Sequence, residues 1–253
     1  MPVDKMRREM ILKELGLLPL WVPRDRVRTG ARAVPEVSVA KPFAAPTAEL
    51  DLADDRATRI LRMDWPELKQ AVMTCTACSL HTGRTQSVFG VGDEQADWLF
   101  VGEGPGAEED ARGEPFVGQA GRLLDNMLAA IGLKRGSDVY IANVIKCRPP
   151  GNRVPEPGEA VQCEPFLLRQ IQLIGPRLIV ALGKTAASNL LRTDASIGSL
   201  RGRLHAFRGM PLLVTYHPAY LLRNLPDKAK AWEDLCLARD TMQRLKSGER
   251  VTN

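Results

Sequence analysis

Four short apolar runs between residues 98 and 215 predict four buried β-strands. They are rich in Val, Ile and Leu and lie at residues 98–101, 139–142, 178–182 and 212–215. Segments with helical spacing of apolar positions lie at residues 121–131, 159–174, 184–191 and 226–246. This alternation predicts an α/β fold of three αβα layers around a central, mostly parallel four-stranded sheet. The carboxyl ends of such strands are where functional groups gather.

A helix start near residue 64 marks the predicted beginning of the domain. Asp64 is suited to cap a helix, Pro66 is tolerated in its first turn, and Glu67 completes a capping box. We therefore predict one domain over residues 63–253.

Residues 1–62 form a separate N-terminal region in this prediction. Residues 4–16 carry a helical apolar stripe, and residues 29–54 are rich in Ala, Pro and Val with few large apolar side chains, as in a flexible linker. Residues 4–28 are compatible with a docking peptide for a partner protein, although a frayed tail segment is the simpler and favoured interpretation.

Composition and charge narrow the class of protein. The 253 residues are 44% hydrophobic and 26% charged, and no stretch of about 18 uncharged apolar residues would span a membrane. The N-terminus mixes acids and bases and lacks a signal-peptide cleavage pattern, so we expect a bacterial cytoplasmic protein, and a monomer. The net charge of +5 favours a polyanionic partner without identifying one.

Three predicted strands end in residues suited to bind a ligand. Gly102–Gly106 follows the first strand, and its three glycines let the backbone approach a ligand closely, although the loop fits neither the dinucleotide fingerprint nor the P-loop. Asn143 ends the second strand with the donor and acceptor needed to read a pyrimidine edge. His217 follows the fourth strand. Taken singly, each is also compatible with a turn or a backbone contact.

Four of the five cysteines have a spacing that indicates a metal site. Cys75 and Cys78 form a C-x-x-C pair, whereas Cys147 and Cys163 lie sixteen residues apart. In a reducing cytosol such thiolates fit zinc or an iron-sulfur cluster, and the single close pair favours the cluster. Four unconnected buried cysteines remain the alternative. Cys236 is predicted to belong to the core.

Together these motifs resemble the family 4 uracil-DNA glycosylases, the iron-sulfur branch found in bacteria and archaea. The resemblance spans residues 65–245 and leaves residues 1–60 outside. The motifs that carry it are Cys75-x-x-Cys78, Gly102-Glu103-Gly104-Pro105-Gly106, Glu114-Pro115-Phe116-Val117-Gly118, Asn143 with Cys147, Cys163, and His217-Pro218-Ala219-Tyr220.

The resemblance implies a uracil-DNA glycosylase-like fold and a 4Fe-4S cluster with no part in the chemistry. The cluster would be held by Cys75, Cys78, Cys147 and Cys163. The family's substrate is uracil-containing DNA, single- or double-stranded, and its products are free uracil and an abasic site for base excision repair.

The resemblance also assigns roles within the site. Phe116 would stack on the extruded uracil, Asn143 would bond its Watson–Crick edge, and His217 would face its O2 carbonyl. Glu103 would position the attacking water and stabilise the cationic sugar, and the Gly104 amide would contact the base. Two further acids that could handle water, ranked below Glu103, are Glu109 and Asp110.

Further residues are expected to contact DNA. The segment Leu221-Leu222-Arg223 resembles the loop that glycosylases insert into the base stack, and it is equally compatible with the start of a helix. Lys184, at a predicted helix N-terminus, would add a phosphate contact. A related branch binds uracil covalently through a histidine, and residues 151–158, GNRVPEPG, contain none, so we expect hydrolytic turnover.

Two other classes of protein compete with a glycosylase. A noncatalytic DNA-binding protein on the same fold would keep the cluster but dispense with Glu103 and His217. An iron-sulfur redox protein would need docking and electron-path features that the sequence does not display.

Overall fold

A six-stranded mixed sheet forms the centre of the protein, in a computed structural model that describes residues 55–249. Its strands are β1 (Val91–Gly92), β2 (Trp98–Gly102), β3 (Val139–Asn143), β4 (Leu178–Leu182), β5 (Leu204–Phe207) and β6 (Met210–Thr215). Their spatial order is β1-β3-β2-β4-β6-β5.

The four predicted strands are confirmed as the parallel centre of this sheet, in the order β3-β2-β4-β6. The predicted number of strands was wrong, because β1 and β5 add an antiparallel strand at each edge. Every residue of β2, β3 and β4 is buried, which explains their continuous apolar sequences.

Nine α-helices are described between residues 55 and 249. They are α1 (Arg56–Ile60), α2 (Trp65–Met73), α3 (Ala107–Arg112), α4 (Gln119–Ala130), α5 (Pro157–Ile174), α6 (Lys184–Leu191), α7 (Ile197–Leu200), α8 (Pro218–Leu221) and α9 (Asp227–Lys246). The predicted helices correspond to α4, α5, α6 and α9, with starts displaced by up to two residues.

Two apolar cores, one on each face of the sheet, make the predicted three layers. Leu99 and Val101 of β2 belong to the core that contains residues of α1, α2, α5 and α6. Trp98 and Phe100 belong to the other, which contains residues of α4 and α9. Because successive strand side chains point to opposite faces, one buried strand supplies both cores.

A helix precedes the predicted domain start at residue 63. Helix α1 buries Ile60, and Arg56 lies 5.0 Å from the centre of the Phe166 ring on α5. At α2, Asp64 and Glu67 form the predicted capping box. The predicted helix at 4–16, the docking segment 4–28 and the linker 29–54 lie outside the described residues. Between residues 55 and 249, the structure contains no helix with the length and apolarity needed to span a bilayer.

Candidate active site

A cleft of about 520 Å³ opens at the carboxyl ends of the parallel strands. Its walls come from the segments that follow β2, β3 and β6 and from the start of α4. The lining residues include Glu103, Gly104, Glu109, Phe116, Asn143, Arg153, Val154, His217, Tyr220 and Arg223. The cleft therefore brings together the five residues predicted to catalyse the reaction or bind the base.

Glu103 projects from the loop after β2 and is oriented by a hydroxyl group. The side chain of Thr185, in the first turn of α6, donates a hydrogen bond to Glu103 Oε2. The Glu103 carbonyl accepts a hydrogen bond from the Ile145 amide at 3.2 Å. The carboxylate is thus held between two neighbouring strand ends.

The two lower-ranked acids are engaged by backbone amides. Glu109 accepts from Val117 and Gly118 through Oε1 at 2.9 and 3.2 Å, and from Gly106 through Oε2 at 3.1 Å, so it joins the two loops that flank the cleft. Asp110 is buried and accepts from the Thr85 amide at 3.0 Å. These bonds give both acids an evident structural role.

Phe116 is held in an unusual backbone conformation beside His217. It is buried, its φ is +55°, and its ring centre lies 5.4 Å from that of His217. Arg135 donates to the carbonyls of Pro115 and Phe116, each at 2.9 Å. A Cβ on Gly121 would lie 1.8 Å from the Phe116 carbonyl oxygen, so this turn requires glycine there. Such strain is typical of functional sites.

Asn143 presents a buried side-chain oxygen to the cleft. The residue is 2% exposed, and within residues 55–249 its Oδ1 finds no hydrogen-bond partner. Its carbonyl accepts from the buried Lys146 ammonium at 3.0 Å. A Cβ on Gly102 would lie 2.5 Å from both Asn143 Oδ1 and Phe116 Cζ, so glycine lets both side chains meet over the strand end. A buried orphan acceptor is costly unless a ligand satisfies it.

His217 is a neutral imidazole in this site. Burial, assisted by the positive charge of Arg223 and opposed by Glu109, lowers the pKa of His217 to about 4. Its Nδ1 accepts a hydrogen bond from the Ala219 amide at 3.2 Å. In the neutral ring this leaves Nε2–H as the donor.

The residues predicted to contact DNA separate into two groups. Arg223 lines the cleft, Leu222 is 40% exposed, and Lys184 is exposed at the start of α6. Leu221 is only 1% exposed and belongs to the core beside α4 and α9. The prediction of a DNA contact by Leu221 does not fit this position, because its side chain already packs inside the protein.

The four predicted ligand cysteines line one second cavity. Cys75 and Cys78 come from the segment after α2, Cys147 from the segment after β3, and Cys163 from α5. Cys236 lies elsewhere, on α9. As the side chains stand, no three His, Cys, Asp or Glu residues in the described part of the chain are grouped so as to hold a metal ion.

These sulfurs are partly or fully buried, and three of them accept hydrogen bonds from cationic or amide donors. Arg84 donates to Cys147 Sγ at 3.0 Å, Arg56 to Cys75 Sγ at 3.4 Å, and the Lys146 amide to Cys163 Sγ at 3.3 Å. Burial raises the pKa of Cys163 to about 12. Buried sulfurs with cationic and amide donors suit a metal centre, which would supply the positive charge that holds them deprotonated.

Three residues that shape the site were missed from the sequence. Thr185 and Arg135 act through contacts with residues 82 and 19 positions away. Lys146 acts through contacts with Asn143, Cys163 and Gln170. The Gly-Lys-Thr start of α6, directly after a strand, was a signal for Thr185, whereas Arg135 has no local pattern that distinguishes it.

Comparison with known proteins agrees with this arrangement. A sequence profile of the uracil DNA glycosylase superfamily matches residues 89–236, more than half of the chain, so the chain belongs to this superfamily and has its fold. The type-4 uracil-DNA glycosylase of Thermotoga maritima is 50% identical over 159 residues, which cover 62% of this chain and 82% of that protein.

Two proteins of Pyrobaculum aerophilum distinguish between the type-4 and type-5 branches of the superfamily. Its type-4 enzyme is 40% identical over 183 residues, covering 69% of this chain and 93% of that protein. Its type-5 enzyme is 31% identical over 146 residues, covering 51% of this chain and 64% of that protein. The chain belongs to the type-4 uracil-DNA glycosylases.

Proposed function

We propose that this protein hydrolyses the N-glycosidic bond of deoxyuridine in DNA, releasing uracil and leaving an abasic site for base excision repair. The observation that carries the proposal is the buried Asn143 Oδ1, which has no hydrogen-bond partner among residues 55–249. It lies beside the Phe116 ring in a cleft that also holds Glu103 and a neutral His217. The type-4 relatives support the same activity.

The base-binding part of the cleft matches a flipped pyrimidine. A base inside a duplex cannot be reached by these groups, so it must leave the stack before it binds. Phe116 offers an aromatic surface, the Asn143 amide offers hydrogen bonds to the base edge, and the Gly104 backbone offers a close approach.

Bond cleavage needs charge stabilisation on both fragments. As the bond from C1′ to N1 breaks, its electron pair leaves with uracil, and the sugar becomes an oxocarbenium-like cation. Nε2–H of His217 donates to the developing charge on O2, an oxyanion-hole role that suits a neutral donor. Glu103 stabilises the sugar and positions water for addition to C1′. The proton lost by that water balances the one that the uracil anion takes up at N1.

The four cysteines would hold a 4Fe-4S cluster. Their number, burial and donors to sulfur fit this group, which would crosslink the segment after α2 to β3 and α5. The chemistry at C1′ requires no electron transfer, so the cluster's contribution is structural.

The remaining aspects of the proposal concern partners and location. Uracil-containing DNA, single- or double-stranded, would approach the cleft past Leu222, Arg223 and Lys184. The protein would act as a monomer in the bacterial cytoplasm, and residues 4–28 would offer a docking segment to a partner protein. The +5 net charge supports the DNA partner.

A uracil-containing oligonucleotide provides the test. Incubation followed by alkali should break the strand at uracil, and Glu103→Gln and Asn143→Ala should each lower the single-turnover rate by roughly 100-fold or more. Exposed Glu233→Gln is the matched control and should cleave normally. If wild-type protein bound DNA but produced no strand breaks, the noncatalytic DNA-binding alternative would be favoured. If it were redox-active and neither bound nor cleaved DNA, the iron-sulfur redox alternative would be favoured.

Iron and sulfide content with the ultraviolet-visible spectrum test the cluster separately. Broad brown absorbance is expected. A colourless protein containing one zinc ion would contradict the cluster, and would leave the glycosylase activity to be judged by the cleavage assay.

A further inference from the structure

An exposed apolar side chain stands on the rim of the cleft, on the side that follows β3. Val154 is 63% exposed and lines the cleft beside Arg153 and Asn152. It lies outside the set of residues given a role in base binding or bond cleavage.

The segment that carries Val154 is firmly held. The Arg153 guanidinium donates to both carboxylate oxygens of Glu159, at 2.9 and 2.7 Å, and the Glu159 side chain is 5% exposed. Arg148 donates to Asn152 Oδ1 at 2.7 Å. Prolines on either side restrict the backbone further, at positions 150 and 155. The structure therefore presents Val154 to solvent at a fixed place.

A second exposed apolar side chain stands on the other side of the cleft. Leu222, 40% exposed, follows β6 and precedes the cleft residue Arg223. In the sheet, β2 and β4 lie between β3 and β6. Three strand spacings place the ends of β3 and β6 roughly 14 Å apart, so the two segments leave the sheet on opposite sides of the cleft.

DNA that delivers a nucleotide into this cleft must lay its flanking base pairs over the two rims. Apolar side chains at such places enter base steps that have lost stacking and so stabilise the distorted duplex. A valine on a segment held by a partly buried ion pair suits this task, since little side-chain entropy is lost when it is covered.

We propose that Val154 is a second wedge, contacting the duplex on the side of the extruded nucleotide opposite Leu222. The inference rests on the proposed glycosylase function and adds a DNA contact to it. Single-stranded DNA has no duplex stack to hold open. The contribution of Val154 is therefore specific to double-stranded substrate.

Single-turnover uracil release from duplex and single-stranded DNA of one sequence tests the wedge. Val154→Ser should lower the duplex rate roughly 10-fold, as expected when an apolar contact worth about 1.4 kcal/mol is lost, and should change the single-strand rate by less than about 2-fold. Val161→Ser is the matched control, because Val161 is 55% exposed on α5 and does not line the cleft. It should leave both rates unchanged.

A second readout follows base extrusion without relying on cleavage. With 2-aminopurine next to uracil in a duplex, Val154→Ser should reduce the fluorescence rise on binding, and Val161→Ser should not. An unchanged duplex rate, or equal losses on duplex and single strand, would overturn the wedge role while leaving the glycosylase function intact. Absence of uracil release by wild-type protein from either substrate would instead overturn the proposed function.

Discussion

Thr185 shows how a single hydroxyl can set the direction of Glu103, the carboxylate that we propose to be catalytic. Its Oγ donates to Glu103 Oε2 from the first turn of α6, which starts where β4 ends. A glutamate on a glycine-rich loop would otherwise sample several rotamers. Holding one of them ready lowers the barrier to the step in which Glu103 positions water.

Replacing Thr185 therefore affects chemistry more than binding. For Thr185→Ala we expect kcat to fall roughly 10-fold, the equivalent of one hydrogen bond to a charged group, while KM changes little because the base pocket is intact. Thr185→Ser keeps the hydroxyl and should restore most of the rate. Steady-state kinetics on single-stranded uracil DNA measure both parameters; a rise in KM with unchanged kcat would contradict the positioning role.

The low pKa of His217 predicts a loss of stability in acid. Burial and Arg223 lower this pKa from 6.5 to about 4, against the smaller opposing effect of Glu109. The folded protein thus binds this proton more weakly than the unfolded chain. The penalty is absent above about pH 6.5 and grows to roughly 3 kcal/mol as the pH falls to 4 and below.

Denaturant unfolding at pH 7.5 and pH 4.5 measures this effect. Between these values the wild-type free energy of unfolding should fall by roughly 2 kcal/mol more than that of His217→Gln, which cannot take up the proton. Other titrating groups contribute equally to both proteins, so their effect cancels when the change in the free energy of unfolding with pH is compared between wild type and His217→Gln. Parallel slopes would show that His217 keeps an ordinary pKa in the folded protein.

At the scale of elements, the loop before α4 depends on one arginine that lies after that helix. Arg135 holds the carbonyls of Pro115 and Phe116 and also pairs with Asp125. Arg135→Ala should release the strained Phe116 backbone and weaken base stacking. We expect kcat/KM to fall roughly 10-fold and free uracil to inhibit less strongly.

Asp125→Asn distinguishes the effect of the clamp, meaning the hydrogen bonds from Arg135 to the Pro115 and Phe116 carbonyls, from the effect of the ion pair between Arg135 and Asp125. It removes the charge of a partner whose side chain is 48% exposed but leaves both carbonyl contacts of Arg135 in place. Surface ion pairs contribute little, so uracil inhibition should be unchanged. Equal effects of the two substitutions would point to loss of helix packing and contradict the clamp.

The sequence predicted the interior of the sheet well and its edges poorly. Strands β2, β3 and β4 are buried throughout, so their apolar runs stand out. Strand β1 has two residues, and β5 is buried only at Phe207, so neither carries such a pattern. Their pairing is set by neighbours distant in sequence, which a local pattern cannot report.

The same distinction applies to the candidate site. Glu103, Asn143 and His217 were visible because each lies within two residues of the end of an apolar strand, and parallel strands bring their carboxyl ends together. The core position of Leu221 was not visible in the sequence, because Leu221 and Leu222 are adjacent and equally apolar. Which of two adjacent leucines faces solvent is decided by the rotation of α8 against α4 and α9.

At the scale of the whole molecule, the cysteine cavity links distant parts of the chain close to the site. Lys146 shows the connection most directly. Its backbone amide donates a hydrogen bond to Cys163 Sγ. Its ammonium group donates one hydrogen bond to the Asn143 carbonyl and another, 2.6 Å long, to Gln170 Oε1. A cluster held by these cysteines would therefore brace the strand end that carries Asn143.

Removing one proposed ligand should consequently destabilise the fold before it alters chemistry. Cys78→Ser should abolish the brown absorbance and lower the thermal midpoint by roughly 10 °C or more, because a buried metal centre contributes several kcal/mol to folding. Cys236→Ser is the matched control, since Cys236 lies on α9 away from the cavity, and it should retain both colour and midpoint. If Cys78→Ser kept the absorbance, or lost it with an unchanged midpoint, the cluster would not brace the described domain, and the orientation of Asn143 would rest on Lys146 and Gln170 alone.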